Sequence, residues 1–315
     1  MIEVRNLTKV YGQHHAIDDI SFTVEDGEVL GFLGPNGAGK TTTMNILTGY
    51  ISATSGQAII DGTDILDDPE GVKKKIGYLP EFPPVYTDMT VGEYLDMVSK
   101  LKKVKEANRK ESIDSVMEVV KIQHMRKRLI ANLSKGYKQR VGLAQALIGD
   151  PKIIILDEPT VGLDPQQIIE IRNLIKGLGK KHTIIFSSHV LSEVSAVCER
   201  VLIINKGKIV ASDTPDNLSR QLQGTNRLQI RLAAPEKTAS KIIKDIQGIK
   251  SVQFQGEREE GTSDFIVETG VDLDVRKTVF NGVARSGYPL LMMRPLDMSL
   301  EEIFLKLTHT EKEGK

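Results

Sequence analysis

The chain has 315 residues, a length typical of two domains. Its hydrophobic and charged fractions, 40% and 27%, are those of ordinary globular proteins and argue against a disordered or fibrous chain. Lys plus Arg and Asp plus Glu number 42 each, so the formal net charge is zero, and the basic excess typical of nucleic-acid-binding proteins is absent.

The first 60 residues predict short strands joined by turns. The segments "IEVRNLTKVY" and "ISFTVEDGEVLGFLG" are strand-like, and Asp26 with Gly27 in the second segment is a turn signal. Residues 57–80 predict a further section of strands and turns. The second segment runs directly into a glycine-rich stretch, whose chemistry is more specific.

That stretch, "GPNGAGKT" at residues 34–41, fits the phosphate-loop pattern G-x-x-x-x-G-K-[ST] and stands between a strand and a helix, as the pattern requires. Its glycines let backbone N–H groups turn toward phosphate oxygens, and the next helix directs its positive end at the same anion. Lys40 should reach the β- and γ-phosphates, and the Thr41 hydroxyl should bind Mg²⁺. A glycine-rich turn with a chance lysine is the alternative. The residues assigned to nucleotide binding here are Gly34, Pro35, Asn36, Gly37, Ala38, Gly39, Lys40, Thr41 and Thr42.

Residues from about 88 to 150 predict a helical insert, because apolar residues recur there at helical spacing with few breakers. The insert includes "LSKGYKQR", residues 133–140, which has the form of a helix start. Ser134 can cap that helix, whereas Gly136 in its first turn costs roughly 1 kcal/mol relative to alanine. A glycine at this point favours a role for the helix tip other than stability.

Two continuous apolar runs, in "KIIILDEP" and "HTIIFSSH", predict buried strands of a parallel sheet. The first ends at Asp157 and Glu158, at the edge where ligands bind in open α/β sheets. Asp157 is placed to hold Mg²⁺ through water, and Glu158 to orient and deprotonate an attacking water. His189, after the second strand, could donate a hydrogen bond to a γ-phosphate. Helix capping by the two acids and a purely structural histidine are the alternatives.

The pattern restarts after residues 221–227, so we place one domain at residues 1–222 and another at 226–310. The first should be α/β, because its apolar strands alternate with helices. The second follows the order β-α-β-β-α-β of a small ferredoxin-like α+β domain, with "SLEEIFLKLT" as a final helix. A loosely ordered tail is the alternative for this second region.

Four motifs stand in order along the chain: "GPNGAGKT", "LSKGYKQR", "IIILDEP" with "GLDP", and "SSH". Over residues 2–222 they resemble the nucleotide-binding subunit of an ATP-binding cassette (ABC) transporter. The second domain is similar to an extension found in a bacterial subgroup of mostly export-type ATPases, including those of multidrug export and gliding motility. The resemblance implies a P-loop NTPase core with an antiparallel β subdomain and a helical insert. It also implies ATP hydrolysis with ATP and Mg²⁺ as cofactors.

The same resemblance implies roles for single residues. Tyr11 would stack on adenine, although an ordinary strand tyrosine is the alternative. Ser134 and Gly136 would face the γ-phosphate held by a second copy of the chain. Asp164 would couple the two sites of that dimer, and His189 falls on the switch histidine of the family.

Departures from the family pattern occur at two motifs. The usual signature reads LSGGQ, whereas Lys135 and Tyr137 here replace its middle glycine and its glutamine. We expect Gly136 to leave the helix tip bare and Lys135 to add positive charge near the anion. Glu81 replaces a glutamine, and it could still bind Mg²⁺ or its water while adding negative charge near the γ-phosphate.

The segment "PEFPPVYTDMTVGEYL" has three prolines and several aromatic residues that we expect to be exposed, which favours a docking surface. In the family this surface receives a short helix of the integral membrane permease; a stiff linker is the alternative. We expect two partners, the permease and a second copy of the chain with ATP between the copies. No nucleic acid is expected to bind.

The sequence shows neither the apolar core of a signal peptide nor an apolar run of the ~18 residues that a membrane span needs. A single cysteine, Cys198, cannot form an internal disulfide, which fits a reducing compartment. We therefore expect a cytoplasmic protein that is peripheral on the inner face of the cell membrane through the permease.

The leading hypothesis is an ATPase that dimerises on ATP and powers a separate permease, as an exporter. One alternative is a soluble ABC-type ATPase acting on nucleic acid or ribosomes. Members of that class usually carry two cassettes, long coiled coils or zinc-binding cysteines, which this sequence lacks. A P-loop kinase or GTPase is the other alternative, but it would leave Ser134, Gly136 and Asp164 without a role.

Overall fold

The computed structural model describes residues 1–222, 226–270 and 274–295. The chain divides into two compact units, Met1–Pro215 and Asp216–Lys315, and each is described by itself. The domain boundary expected between residues 222 and 226 stays a prediction. No helix in the described ranges is both long and apolar enough to cross a membrane.

The first unit is built around a six-stranded sheet in the order β10-β9-β3-β8-β7-β6. Five of its strands are parallel, and β10 joins the edge in an antiparallel hairpin with β9. The strands β3 and β7 are buried along their whole length, which explains why their sequences are continuous apolar runs. The strands are β3 (Val29–Leu33), β6 (Ile76–Leu79), β7 (Ile153–Asp157), β8 (Thr183–Ser188), β9 (Arg200–Asn205) and β10 (Lys208–Asp213).

A second, antiparallel sheet has the order β2-β1-β4-β5, and the prediction of an antiparallel β subdomain is confirmed. Side chains of this sheet, including Ile2, Leu7 and Ile20, share one apolar core with Phe32 and Ile155 of the parallel sheet. This shared core packs the antiparallel sheet against the parallel sheet. The strands are β1 (Ile2–Tyr11), β2 (His14–Val24), β4 (Ser55–Ile60) and β5 (Thr63–Asp64).

The helices of this unit include the predicted insert, which consists of α3, α4 and α5. The first of them begins with a capping box, in which Thr90 and Glu93 satisfy each other's backbone N–H groups. The third, α5, packs beside β6 and so joins the insert to the parallel sheet. The helices are α1 (Lys40–Leu47), α2 (Pro69–Lys75), α3 (Val91–Leu101), α4 (Glu106–Val119), α5 (Lys135–Leu147), α6 (Pro165–Leu178) and α7 (Leu191–Ser195); α8 (Pro215–Leu222) spans the division between the units.

The prediction of only strands and turns at residues 57–80 was wrong, because α2 lies there. This helix has a good start, since Asp68 accepts a hydrogen bond from the Gly71 N–H and Pro69 stands at the first helical position. It buries a single residue, Val72. One buried position in seven residues leaves no apolar periodicity for a sequence pattern to detect.

The second unit contains a four-stranded antiparallel sheet in the order β12-β13-β11-β14. Its elements run β-α-β-β-α-β along the chain, as predicted for a ferredoxin-like domain. Its core contains Ile230, Ile243, Phe265 and Val279. The expected final helix in "SLEEIFLKLT" lies outside the described residues. The elements are β11 (Asn226–Leu232), α9 (Glu236–Lys244), β12 (Ile249–Gly256), β13 (Ser263–Thr269), α10 (Arg276–Arg285) and β14 (Leu290–Pro295).

Candidate active site

A cleft of about 510 Å³ lies at the carboxyl ends of β3, β7 and β8. In an open parallel sheet this edge is the usual ligand site, because loops diverge there and helix N-termini point toward it. The structure brings together here most of the residues that the sequence assigned to phosphate, metal and water chemistry. The predicted residues lining the cleft are Tyr11, Asn36, Gly37, Gly39, Lys40, Thr41, Thr42, Glu81, Glu158 and His189.

The loop before α1 needs glycine at two positions for steric reasons. A Cβ on Gly34 would come within 2.5 Å of the Ile204 carbonyl oxygen. Gly39 has φ +110, and a Cβ there would come within 2.5 Å of the Ala16 carbonyl oxygen. No side chain in the described residues caps α1. The N–H groups of its first turn therefore have no capping side chain that would compete with a bound anion.

Lys40 is only 5% exposed, and its ammonium lies inside the turn made by the loop. Its Nζ donates to the carbonyl oxygens of Gly34 at 2.7 Å and Pro35 at 3.2 Å. It also lies 3.2 Å from Glu158 Oε1, an ion pair whose geometry is not that of a hydrogen bond. The charge of Lys40 is therefore positioned between the loop carbonyls and Glu158, where an arriving phosphate would compete for it.

Asp157 is fully buried at the end of β7. Its Oδ1 accepts a hydrogen bond of 2.5 Å from the Ser187 hydroxyl. Burial raises the pKa of the Asp157 carboxyl, while the hydrogen bond from Ser187 and the nearby Thr41 hydroxyl act in the opposite direction. Its other oxygen, Oδ2, is buried without a hydrogen-bond partner in the described structure.

These donors fit a magnesium ion. Mg²⁺ is usually held by one or two carboxylates and substrate phosphates and keeps several waters, so it needs no cluster of protein acids. No group of three or more His, Cys, Asp or Glu side chains suited to a metal occurs in the described residues. The unpartnered Asp157 Oδ2 and the adjacent Thr41 hydroxyl are the oxygen ligands that such an ion prefers.

Glu158 has a left-handed backbone, with φ +48. For a residue with a Cβ this conformation costs on the order of 1–3 kcal/mol, and such strain is concentrated at functional sites. Its N–H lies 3.0 Å from the Ser187 hydroxyl and 3.2 Å from the Ser187 carbonyl oxygen, which holds the turn. The backbone thus turns the side chain into the cleft, where Oε2 lies 2.8 Å from His189 Nδ1.

The side chains of His189 and Tyr11 are at the open part of the cleft. His189 follows β8 directly, and its side chain is 44% exposed although one ring nitrogen bonds Glu158. Tyr11, at the end of β1, is 51% exposed, and the Lys9 ammonium lies 5.1 Å from its ring centroid. An exposed aromatic face beside the phosphate loop is suited to stacking on a base.

Ser134 is not among the residues lining this cleft. It caps α5, where its hydroxyl oxygen accepts a hydrogen bond of 3.4 Å from the Tyr137 N–H, and it is exposed. The Lys135 ammonium lies against Gly162, in the segment that follows Glu158. Lys135 therefore contacts its own chain in this structure, and the expected approach to an anion stays a prediction.

The expectation that Gly136 leaves the helix tip bare differs from the structure, in which Gly136 is buried. A Cβ at this position would come within 2.4 Å of the Gln167 side-chain oxygen. Asp164 caps α6 by accepting a hydrogen bond of 2.9 Å from the Gln167 N–H. Glycine at 136 therefore makes room for Gln167, which joins the start of α5 to the start of α6.

Glu81 lies between the cleft and a second groove of about 670 Å³, and it lines both. Phe82, beside it, is 72% exposed, and Tyr86 is also exposed. Tyr86 packs edge-on against the buried Tyr94 of α3, with ring centroids 6.2 Å apart. The prediction of exposed aromatic residues in this segment is confirmed for Phe82 and Tyr86 and wrong for Tyr94, which is buried in the contact of α3 with its surroundings. The groove is also lined by Thr41 and Asp157.

Sequence reasoning missed the function of Ser187. Its hydroxyl donates to Asp157 while its oxygen faces the Glu158 N–H, so it links the two acids of the site. The "SSH" motif contained it, but the motif was assigned for its histidine alone. The signal that could have found it is the position itself, since Asp157 pairs with Ser187 across the parallel strands β7 and β8.

Comparisons with known proteins agree with this geometry. A family model described as "ABC transporter" matches residues 17–161. The bacitracin transport ATP-binding protein BcrA of Bacillus licheniformis is 34% identical over 98% of this chain and 97% of its own. The linearmycin resistance ATP-binding protein LnrL of Bacillus subtilis is 30% identical, with 98% of both chains covered. The bacterial ABC transporter cassette MJ0796, solved as a dimer and in a post-hydrolysis state with ADP and Pi, is 25% identical over 68% of this chain and 98% of its own, with a TM-score of 0.63.

Proposed function

The chain belongs to the ABC transporter family as an ATP-binding, ATP-hydrolysing protein, and from this we propose that two copies close on ATP and Mg²⁺ to power a separate membrane permease that exports its substrate. The full-length match to proteins named for bacitracin transport and linearmycin resistance supports the exporter assignment. The protein would act on the inner face of the membrane, held there by the permease.

One observation carries the proposal of a dimer. Lys40, Glu158 and His189 meet in a single cleft, whereas Ser134 is on an exposed helix tip that does not line it. The tip carries a hydroxyl and the positive end of α5, which together suit a phosphate. A second copy can supply this tip to the open side of the cleft, so that the nucleotide would be enclosed by both chains.

The residues of the cleft divide the work of hydrolysis. Tyr11 would stack on the adenine, and Lys40 would leave the loop carbonyls to bind the β- and γ-phosphates. Thr41 and Asp157 would hold Mg²⁺, with Glu81 as a further candidate ligand; the ion supplies charge that stabilises the phosphates. Glu158 would orient and deprotonate the attacking water, and His189 would donate to the γ-phosphate. The remaining assigned loop residues would contact the phosphates through their backbone N–H groups.

Asp164 has a structural basis for its proposed coupling role. It caps α6, and the first turn of α6 contributes Gln167, which covers Gly136 close to Ser134. The segment that follows Glu158 and the helix tip that carries Ser134 are therefore in contact within one copy. A shift of one of them should therefore displace the other. In the proposed dimer they serve different nucleotide sites, so this contact would couple the two sites.

The second groove, lined by Glu81, Phe82 and Tyr50 among others, is the proposed docking surface for the permease. Large exposed aromatic side chains are typical anchors at protein interfaces. Tyr50 is also exposed, at 78%, so the groove carries two exposed aromatic side chains. The groove also reaches Asp157 and Thr41, which would place permease contacts next to the metal site.

Replacement of Phe82 by serine tests the docking proposal. We expect Phe82→Ser to lower recovery of the cognate permease by about 10-fold or more, the loss typical when an anchor residue of an interface is truncated. The permease would be extracted in detergent, recovered with the chain and identified by mass spectrometry. ATP hydrolysis by Phe82→Ser without membranes should stay at the wild-type level. The matched control is Phe280→Ser, because Phe280 is also exposed, at 57%, and lies in the second unit.

Two results would contradict the proposal. Equal recovery of the permease by Phe82→Ser and by the wild type would exclude Phe82 from docking. Recovery of ribosomes or nucleic acid in place of any integral membrane protein would instead favour the soluble ABC-type ATPase, whatever the variant does.

A further inference from the structure

Glu193 is a buried acid in α7 that none of the assigned roles uses. It is 7% exposed, and its Oε2 accepts hydrogen bonds from the Thr160 hydroxyl at 2.6 Å and the Ser188 hydroxyl at 2.9 Å. No lysine or arginine in the described ranges forms an ion pair with it. The Glu193 carboxylate is thus held by hydroxyl donors alone, and burying a carboxylate without a counter-charge costs free energy that these hydrogen bonds only partly offset.

The two hydroxyls adjoin the two acid–base residues of the active site. Thr160 lies two residues after Glu158, and Ser188 directly precedes His189. The Ser188 oxygen also accepts a hydrogen bond of 3.0 Å from the Val190 N–H, which closes the backbone around His189. Because a carboxylate can only accept hydrogen bonds, the Ser188 hydroxyl must donate its proton to Glu193. The lone pairs of the Ser188 oxygen then remain free to accept from the Val190 N–H.

The loops joined by Glu193 are those whose side chains must meet. His189 Nδ1 lies 2.8 Å from Glu158 Oε2, although the two residues are 31 positions apart in the chain. Glu158 has a left-handed backbone, which surrounding contacts must hold. Ser187 holds the amide side of the Glu158 turn, and Thr160 with Glu193 holds its carbonyl side.

We propose that Glu193 is a positioning residue for hydrolysis, which holds the Glu158 turn and the His189 turn in register by accepting hydrogen bonds from both. The inference rests on the proposed roles of Glu158 and His189. It makes Glu193 part of the machinery without contact with the substrate. Displacement of a general base by a fraction of an ångström would slow the chemical step more than nucleotide binding.

The test measures ATP hydrolysis by the full chain of four variants. Glu193→Ala should lower kcat by about 10- to 100-fold while KM for ATP changes by less than about threefold, because the phosphate loop is not touched. Glu193→Gln keeps an oxygen at the same place and should recover activity to within about threefold of the wild type. Thr160→Val should reproduce part of the loss, and Glu199→Ala, an exposed acid six residues later, should change nothing.

A second arm separates this inference from the proposed function. If Glu193 acts through Glu158, Glu193→Ala should cause no further loss in a Glu158→Gln chain, because the two changes affect the same step. Normal hydrolysis by Glu158→Gln would overturn the role of Glu158 itself. An inactive Glu158→Gln beside a fully active Glu193→Ala would overturn only the inference.

The conservative variants keep the test informative if Glu193→Ala destabilises the protein. If Glu193→Ala does not fold, Glu193→Gln and Thr160→Val carry the same comparison of kcat with KM. If kcat falls and KM for ATP rises by similar factors, in proportion to a falling melting temperature, Glu193 has a purely structural role. That result would contradict the proposal.

Discussion

Replacing Glu158 by glutamine should nearly abolish ATP hydrolysis while ATP still binds. The amide has the same shape, but it cannot accept a proton from the attacking water, and loss of a positioned general base costs about 10²–10⁴-fold in rate. Glu158 also pairs with Lys40 at 3.2 Å, so removal of its charge frees Lys40 for the phosphates. ATP that binds and is not hydrolysed should accumulate between two copies.

Phosphate release and light scattering measure the two halves of this expectation. The variant should release phosphate at least about 100-fold more slowly than the wild type and elute as a dimer with ATP and Mg²⁺. The control is Glu25→Gln, an exposed acid in the turn after β2, which should behave as the wild type. Normal turnover by Glu158→Gln would remove Glu158 from the role of base.

Replacing Lys40 by methionine should abolish nucleotide binding itself. The ammonium is the only charged donor that the phosphate loop carries, and methionine keeps the length of the side chain without the charge. Charge-assisted hydrogen bonds to phosphate are about twice as strong as neutral ones, so we expect affinity for ATP to fall about 100-fold or more. The loss should also leave Glu158 without its ion pair.

Thermal stabilisation by ATP measures this second expectation. A ligand that binds only the folded state raises its stability by RT ln(1 + [L]/Kd), so the melting temperature of the wild type should rise with ATP and that of Lys40→Met should not. Lys74→Met, an exposed lysine of α2, is the matched control. A wild-type response by Lys40→Met would contradict the proposed contact.

The cleft could be foreseen from sequence because its chemistry depends on strand ends. Gly34, Asp157 and His189 each follow or end a buried apolar run, and parallel strands bring their carboxyl ends to one edge. The glycine positions carry their own steric requirement, as the close approach of Gly34 to Ile204 shows. Local pattern and sheet geometry together were sufficient to place these residues in one site.

Contacts between distant segments could not be foreseen in the same way. Gly136 is covered by Gln167, and no local sequence pattern around either residue predicts contact with the other. Glu193 lies on a short helix of five residues, which offers no periodicity, and its partners become visible only when β7 and β8 lie side by side. The helix α2 was not predicted for a related reason, because Val72 is its only buried residue and gives no helical periodicity.

The central claim is that each nucleotide is enclosed by Lys40 of one copy and Ser134 of another. Two inactive variants test it when they are mixed. Lys40→Met disables the phosphate loop, whereas Ser134→Asp keeps a good helix cap but places a negative charge against the phosphate. Ser134→Asn, which caps equally well without charge, controls for the fold of the helix tip.

The decisive measurement is the rate of ATP hydrolysis in an equal mixture of Lys40→Met and Ser134→Asp chains. Only the mixed dimer holds a site with both residues intact, and it has one such site of two. If half of the dimers are mixed, as in random pairing, activity should return to roughly a quarter of the wild-type rate. A mixture that stays as inactive as its two components would show that Lys40 and Ser134 do not meet across two copies, and it would contradict the account.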